Sequence, residues 1–471
     1  MTTQAVPRVK GSPFVEEAKR FLAWQLARRL LGSLRRDPER EIWRLLDLGE
    51  KLAIMSNHRE QIRSVKRRLR ENPVMMTYAC NLIRDTHPRV QERLLFNWFV
   101  NSALFGVPKQ RRMSQQLGVN VPYFILIDPT QACNLRCTGC WAGEYSRRNS
   151  LSLELVDRIV TEAKQLGIYW IVMSGGEPFA WPHLFELASR HPDVAFMLYS
   201  NSTLVDDKKA DMLLEVGNIS PAFSLEGWEE KTDRRRGKGV FKMVMAAMDR
   251  LRERGVPFGF SITITSQNVY EVMSDEFIDF LIQKGCKYGW TFHYIPVGSD
   301  VDPDLVVTPE QRAYLARRVP YIRTHKPIMI ADFWNDGELT IGCIAGGRRY
   351  FHITAHGDVE PCAFAHFTVD NIKEKSLVEV LGNPLFRAYQ KRQPFSENLL
   401  RPCPIIDVPQ ALRDIVAESG ARPTHPGADD ILHGELARKL DERAARWKEL
   451  SDPIWAERCA EKAWRDEAAA S

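Results

Sequence analysis

Residues 121–145 read VPYFILIDPTQACNLRCTGCWAGEY, an apolar run that ends at Asp128-Pro129 and opens into a loop carrying Cys133, Cys137 and Cys140. An apolar stretch of this length, closed by a proline, predicts a buried strand with the cysteine loop at its carboxyl end. Downstream, the apolar runs at 169–174 (YWIVMS), 194–200, 219–225, 257–265 and 288–296 alternate with helix-periodic segments at 153–167, 204–217, 239–255 and 275–285. Repeated strand-then-helix order predicts parallel connections and an α/β fold, either an incomplete barrel of six βα units or an open doubly wound sheet. In both, the carboxyl ends of the strands surround the site. Three soft thiolates spaced C-x3-C-x2-C on one loop can hold three irons of a [4Fe-4S] cluster and leave the fourth iron open to a small molecule. Structural zinc would need a distant fourth ligand, and three unrelated buried cysteines are the remaining alternative.

The chain has 471 residues, more than one hydrophobic core usually organises, so two to four structural units are expected. A net charge of +5 and 27% charged residues describe an ordinary solvated surface, and no recognition element accompanies the basic residues, so nucleic acid is not an expected partner. Nine cysteines are too few for a disulfide scaffold. Without a basic leader and short apolar segment at the start, or an apolar run of about 18 residues, the expected location is cytoplasmic. The first 115 residues read as helical. Ser12 can cap a helix with Pro13 at its first position, and Phe14, Ala18, Phe21, Leu22 and Leu26 would form its apolar face. That face suits docking on the protein itself or peripheral contact with a membrane surface. Gly106 and Pro108 mark the expected exit, and Phe96, Trp98, Phe99, Leu104 and Phe105 the expected packing against the next domain.

The cysteine loop and its spacing resemble those of radical S-adenosylmethionine (SAM) enzymes over about residues 121–410. The resemblance implies a partial (βα)6 barrel over 116–300, with Cys133, Cys137 and Cys140 ligating a catalytic [4Fe-4S] cluster. It further implies that SAM on the open iron is cleaved by one electron to methionine and a 5'-deoxyadenosyl radical, which takes hydrogen from an unactivated C–H bond. Such chemistry requires an electron donor such as flavodoxin or ferredoxin. A second match is IVMSGGEPF, where Gly175, Gly176, Glu177 and Pro178 resemble the loop that receives the methionine ammonium. By the same resemblance Trp141 lies by the cluster or adenine. Ser200, Asn201, Ser224, Glu226 and Arg236 are expected to serve the ribose hydroxyls and the carboxylate, with Arg234 and Arg235 as alternatives to Arg236. Ser261 and Thr263 share one face of their strand and so are cofactor-facing candidates; Ile295 to Val297 resembles the adenine-lining stretch, and His293 is a candidate substrate contact.

A second set, Cys343, Cys362 and Cys403, sits among glycines and prolines and resembles a SPASM or twitch domain holding an auxiliary [4Fe-4S] cluster over 301–410. Zinc and separate structural cysteines are alternatives. The fourth ligand is open between Cys286, Asp407, His356, His366 and none. Cys80 and Cys459 are expected to pack within helices. Residues 411–471 are read as a helical extension in which ARPTHPGADD forms a linker. Chemistry on a lipid or other small metabolite is the leading expectation for the substrate; modification of a ribosomally made peptide, and a non-catalytic iron–sulfur scaffold, are the alternatives.

Overall fold

The computed structural model describes residue 25 and residues 32–52, 56–142 and 148–470. The expected Ser12-capped helix lies outside the described residues. Seven parallel strands follow the apolar runs: β1 Ile125–Ile127, β2 Trp170–Met173, β3 Ala195–Ser200, β4 Ile219–Leu225, β5 Gly259–Ile264, β6 Tyr288–His293 and β7 Met329–Asp332. Helices Leu153–Leu166, Leu184–Arg190, Asp207–Val216, Val240–Glu253, Asp275–Lys284 and Pro309–His325 connect them. Local sequence sets their ends. Ser152, Asp206, Ser274 and Thr308 each accept a backbone N–H in the first helical turn, and Gly167, Gly217 and Gly285 end three helices in the left-handed region. Residues of β1, β2 and β4 are buried throughout, as expected of strands covered on both faces.

The sheet order is β7-β6-β5-β4-β3-β2-β1-β8-β9, with β8 His352–Ile353 parallel to β1 and β9 Val359–Glu360 antiparallel to β8. This is the mixed α/β architecture of a partial barrel. The sheet does not stop at residue 300: the sixth helix and β7 lie beyond it, and the segment carrying the second cysteine set adds β8 to the first strand. A short antiparallel pair joins β10 Phe367–Thr368 to β11 Arg422–Pro423, and β11 falls where a linker was expected. Glycine and proline there mark a turn into pairing rather than a spacer.

Before the barrel, Pro38–Leu52, Ser56–Glu71 and Pro73–Asp85 enclose a small core of Leu69, Met76 and Cys80. Helical structure passes through Gly106 without a break, Asn97–Gly106 running directly into Val107–Leu117; the exit is Gly118, in the left-handed region. The expected aromatic packing divides. Trp98 meets Trp170 edge-on at 5.9 Å, whereas Phe99 is 65% exposed. Cys459 is exposed rather than packed. Among the described residues no helix is long and apolar enough to cross a membrane.

Candidate active site

At the carboxyl ends of β1–β6 one cavity is lined by Cys133, Cys137, Cys140 and Trp141 together with Gly175, Gly176, Asn201, Ser224, Arg236, Ser261, Thr263, His293 and Ile295. Ser224 and Ser261 are register partners across β4 and β5, and Thr263 lies two residues on, so strand alternation brings all three hydroxyls to the lumen. The cysteine loop is held from two sides. Gly176 N–H donates to the Thr130 carbonyl and Glu177 N–H to the Ala132 carbonyl, each at 2.8 Å. Arg235 donates to the Thr138 and Gly139 carbonyls at 3.0 and 3.1 Å. The close approach explains the paired glycines: a Cβ on Gly176 would fall within 2.6 Å of the Gln131 and Ala132 carbonyl carbons, and one on Gly175, whose φ is +99°, within 2.6 Å of the Thr130 oxygen. The two glycines thus admit the neighbouring loop as well as bordering the cavity.

Glu177 is held by donors of the protein itself. It is fully buried and does not line the cavity; its carboxylate accepts from Phe179 N–H at 3.0 Å, Ser200 Oγ at 2.8 Å and Asn201 N–H at 2.8 Å. It therefore ties the loop after β2 to the loop after β3, and Ser200 is engaged in the same tie rather than facing the cavity. Burial pushes its carboxyl up to about 7 against those hydrogen bonds. Pro178 is buried in the turn that follows. Glu226 is likewise behind the cavity wall. Its Oε1 receives Arg235 at 2.6 Å and Arg236 at 2.5 Å, while Oε2 is buried with no hydrogen-bond partner. Of the three arginines, Arg235 and Arg236 turn inward and Arg234 pairs with exposed Glu230. Val297 is buried outside the cavity lining.

Donors also meet the thiols. Cys133 Sγ lies 3.5 Å from Leu135 N and 3.7 Å from Asn201 Nδ2, and burial pushes its thiol up to about 11. His293, at 0% exposure, stacks on Trp334 at 4.9 Å with both ring nitrogens unpartnered; burial holds it well below the ordinary imidazole value, so the ring is neutral. Its Nε2 is 3.9 Å from Asp332.

Cys343, Cys362 and Cys403 line a second cavity, separated from the first by the shared residues Phe333, Tyr350 and Phe364. Each thiol has a donor: Ala345 N–H to Cys343 at 3.5 Å, Tyr350 O–H to Cys362 at 2.9 Å and Ile405 N–H to Cys403 at 3.4 Å. Of the proposed fourth ligands, none lines this cavity. Cys286 is 3% exposed and packs within the main hydrophobic core. Asp407 accepts from Cys403 N–H at 2.9 Å and pairs with buried Arg312 at 2.7 Å, so it braces the ligand loop. His356 and His366 line a third groove, which adjoins the catalytic cavity rather than this one. Among the described residues no three His, Cys, Asp or Glu side chains gather at a single-ion position. A four-iron cluster instead draws each thiolate to a different iron. Both triads meet that requirement in kind: soft thiols around one cavity, each triad with N–H or O–H donors, and backbone glycines clearing the first.

The groove was missed in the sequence. Asp128 at the end of β1, His352 on β8, Glu360 on β9, His366, Thr424 and His425 come together there, and Cys137, Trp141, Gly175 and Gly176 border both it and the catalytic cavity. Residues 128, 352 and 424 meet only through the β1–β8 and β10–β11 pairings, which no local pattern announces.

A model of the radical SAM superfamily matches residues 127–278, and one of an iron–sulfur cluster-binding domain of SPASM type matches residues 343–404. The chain is 24% identical over 293 residues to the AdoMet-dependent heme synthase of Methanosarcina barkeri, covering 56% of this chain and 83% of that one. It is 28% identical over 304 residues to the PqqA peptide cyclase of Methylorubrum extorquens, covering 58% and 75%. The structure of Streptococcus suis SuiB bound to precursor peptide SuiA superposes with a TM-score of 0.52 at 18% identity over 63% of this chain and 74% of that one, a likeness of fold. Parallel barrel, cysteine loop and second cysteine domain together make this chain an enzyme of the radical SAM superfamily with a SPASM-type auxiliary iron–sulfur domain.

Proposed function

We propose that this enzyme is a peptide maturase that removes hydrogen from an unactivated C–H bond of a peptide. The observation that carries the reading is the groove beside the cysteine loop. Its wall is mainly apolar but carries hydrogen-bonding side chains, Gln131, Thr354, Asp358 and Thr424 among them, and it shares Cys137, Trp141, Gly175 and Gly176 with the catalytic cavity. Such a wall offers hydrogen-bond partners to a peptide backbone. The catalytic cavity is floored by aromatic rings, beyond which lies a further cavity that Phe124, Trp290 and Phe333 also line: Trp290 lies parallel to Phe292 at 6.3 Å and edge-on to Phe333 at 5.4 Å, while Phe124 stacks on Tyr350 at 5.1 Å. That floor stands where the alternative lipid reading would want an open apolar channel. The names of the PqqA relative and of the SuiB complex point the same way.

On this reading Cys133, Cys137 and Cys140 hold the catalytic cluster, and Cys343, Cys362 and Cys403 the auxiliary one. The cluster and SAM supply, when bound, the one-electron cleavage and the hydrogen-abstracting radical. The chain's own residues orient and exclude. Leu135 N–H and Asn201 Nδ2 donate toward Cys133, stabilising its thiolate. Arg235 and Arg236, fixed by Glu226, present positive charge to the cavity for a carboxylate. Ser224, Ser261 and Thr263 offer hydroxyls, while Trp141 and Ile295 supply apolar walls. His293, neutral and unpartnered, accepts or donates one hydrogen bond to the substrate. A flavodoxin- or ferredoxin-type donor supplies the electron.

The test presents the anaerobically reconstituted enzyme, SAM and reductant with deuterated cell fractions, and reads deuterium in 5'-deoxyadenosine. Transfer from the small-peptide fraction, abolished by prior proteolysis and by Cys137→Ala, is expected. Transfer from the lipid fraction, or from a protease-resistant metabolite fraction, overturns the peptide assignment.

A further inference from the structure

The cavity of Cys343, Cys362 and Cys403 is lined by two buried tyrosine hydroxyls, one with a partner in the protein and one without. Its lining side chains are apolar apart from the three thiols, the Tyr350 and Tyr389 hydroxyls and the Trp334 indole N–H; among the described residues no charged side chain lines it. Tyr350 is 3% exposed and donates to Cys362 Sγ at 2.9 Å. Its ring stacks on Phe124 at 5.1 Å and walls both the catalytic cavity and this one, which fixes where the hydroxyl points.

Tyr389 differs from Tyr350. It is 0% exposed and lines the same cavity, yet its hydroxyl has no hydrogen-bond partner. A buried O–H without an acceptor costs free energy, and phenylalanine would fill the same space without that cost. The ring is held by its helix, Pro384–Arg392, which docks on the loop after Cys343. Gln390 Nε2 donates to the Gly346 carbonyl at 2.8 Å, and Gln393 Nε2, just past the helix, donates to the Cys343 and Ala345 carbonyls at 3.1 and 3.0 Å. Phe395 meets the ring edge-on at 5.8 Å. Burial, with the Cys362, Cys343 and Cys403 thiols behind it, pushes the hydroxyl well above the ordinary phenol range, so all three thiols act on this one group.

Three thiolates in a cavity without a lining cation leave their negative charge to be met by hydrogen bonds. Reduction places further charge on the sulfurs, so an O–H donor stabilises the reduced form more than the oxidised form and raises the potential. We propose that the Tyr350 and Tyr389 hydroxyls both donate to sulfur of the auxiliary cluster, Tyr350 to the Cys362 thiolate and Tyr389 to an inorganic sulfide, and so set its reduction potential. A sulfide is assigned to Tyr389 because no cysteine sulfur takes its proton. The inference rests on the reading that Cys343, Cys362 and Cys403 hold that cluster; both tyrosines are positioning residues that act through its sulfurs.

The experiment is a redox titration of the cluster-loaded enzyme, followed by the EPR signal that disappears when Cys343, Cys362 and Cys403 are all replaced by alanine. Tyr350→Phe and Tyr389→Phe each remove one oxygen and keep the ring. At a fixed applied potential each should lower the ratio of reduced to oxidised auxiliary cluster by about tenfold, a fall of about 59 mV for a one-electron couple. Iron content and the potential of the catalytic cluster should stay as in wild type. 3-Fluorotyrosine in place of Tyr389 carries a stronger O–H donor and should move the ratio the other way; it keeps the hydroxyl, so the test stands even if Tyr389→Phe does not fold or hold iron. An unmoved auxiliary potential in these variants at full iron overturns the proposal, and a shift in Tyr350→Phe alone overturns the Tyr389 assignment. Unchanged iron and sulfide in the triple alanine variant would remove the auxiliary-cluster reading and this inference with it, whereas a cluster present with an unmoved potential removes this inference alone.

Discussion

Glu177 joins two loops of the site from within the Gly175–Pro178 motif. Its two oxygens receive three protein donors, from Phe179, Ser200 and Asn201, so its work is to join the loops after β2 and β3. Glu177→Gln replaces one acceptor by an amide nitrogen that must face an N–H or O–H donor, leaving a buried pair of donors opposed. Stability is expected to fall by about 1–3 kcal/mol, measured by urea unfolding; an unchanged midpoint would show that the tie is dispensable. The His352–Glu360 pair makes a second prediction, in pH. Burial alone would lower the His352 imidazole, but Asp128 and Glu360 hold it at about 10 against an ordinary 6.5. Its contribution is therefore complete below pH 6.5 and is lost as pH rises through about 10. Burial alone would raise Glu360, yet His366 and His352 hold it at about 2 against 4.5, so its contribution is complete above pH 4.5 and is lost as pH falls through about 2. Stability should be highest between those ordinary values and decline on the alkaline side, with a flatter alkaline decline in His352→Gln. A steeper decline in that variant would contradict the assignment.

At the scale of elements, the loop after β2 and the cysteine loop are one unit because two glycines let their backbones touch. Gly176→Ala tests this without altering any thiol. Its new Cβ would press on the Gln131 and Ala132 carbonyls, and backbone cannot rotate away as a flexible side chain can. Lower retention of the catalytic cluster is expected, read as a loss of up to about four iron atoms per chain, the content of one such cluster, with the auxiliary spectrum preserved. Full iron in this variant would show that the loops can separate without consequence. The same elements mark what could be read from sequence. Strands β2 to β6 announce themselves because each is a short, mostly apolar run between helix-periodic segments. Lumen-facing Ser261 and Thr263 follow from strand alternation alone. Where a residue's partner lies far along the chain, local pattern has nothing to report. Glu226 and the arginines after it could be named together, but not that Arg235 and Arg236 would both converge on one oxygen. Asp128 looked like the end of a strand until β8 brought His352 beside it.

Across the whole molecule, the segment after the second cysteine set belongs to the site. Residues 424–426 wall the groove, and helix Gly434–Ala470 packs on Pro309–His325 through a core of Ala316, Leu400 and Trp447. Trp447 is central to that contact. Its indole N–H donates to the Leu400 carbonyl at 3.2 Å, and the Arg312 guanidinium lies 4.7 Å over its ring. Arg312 in turn donates to the same Leu400 carbonyl at 3.1 Å and pairs with Asp407, which receives Cys403 N–H. A contact on the C-terminal helix therefore reaches the third auxiliary cysteine through two side chains. Trp447→Ala removes a buried aromatic and uncovers the Arg312–Asp407 pair, at an expected cost of about 3–5 kcal/mol. Because Cys403 loses its brace while the barrel is untouched, the auxiliary cluster should be lost before the catalytic one, seen as a selective fall in its Mössbauer component. Trp447→Phe keeps the packing and the ring face without the indole N–H, and should retain most of that iron. Equal loss from both clusters in Trp447→Ala would mean that the helix stabilises the molecule as a whole rather than the Cys403 segment.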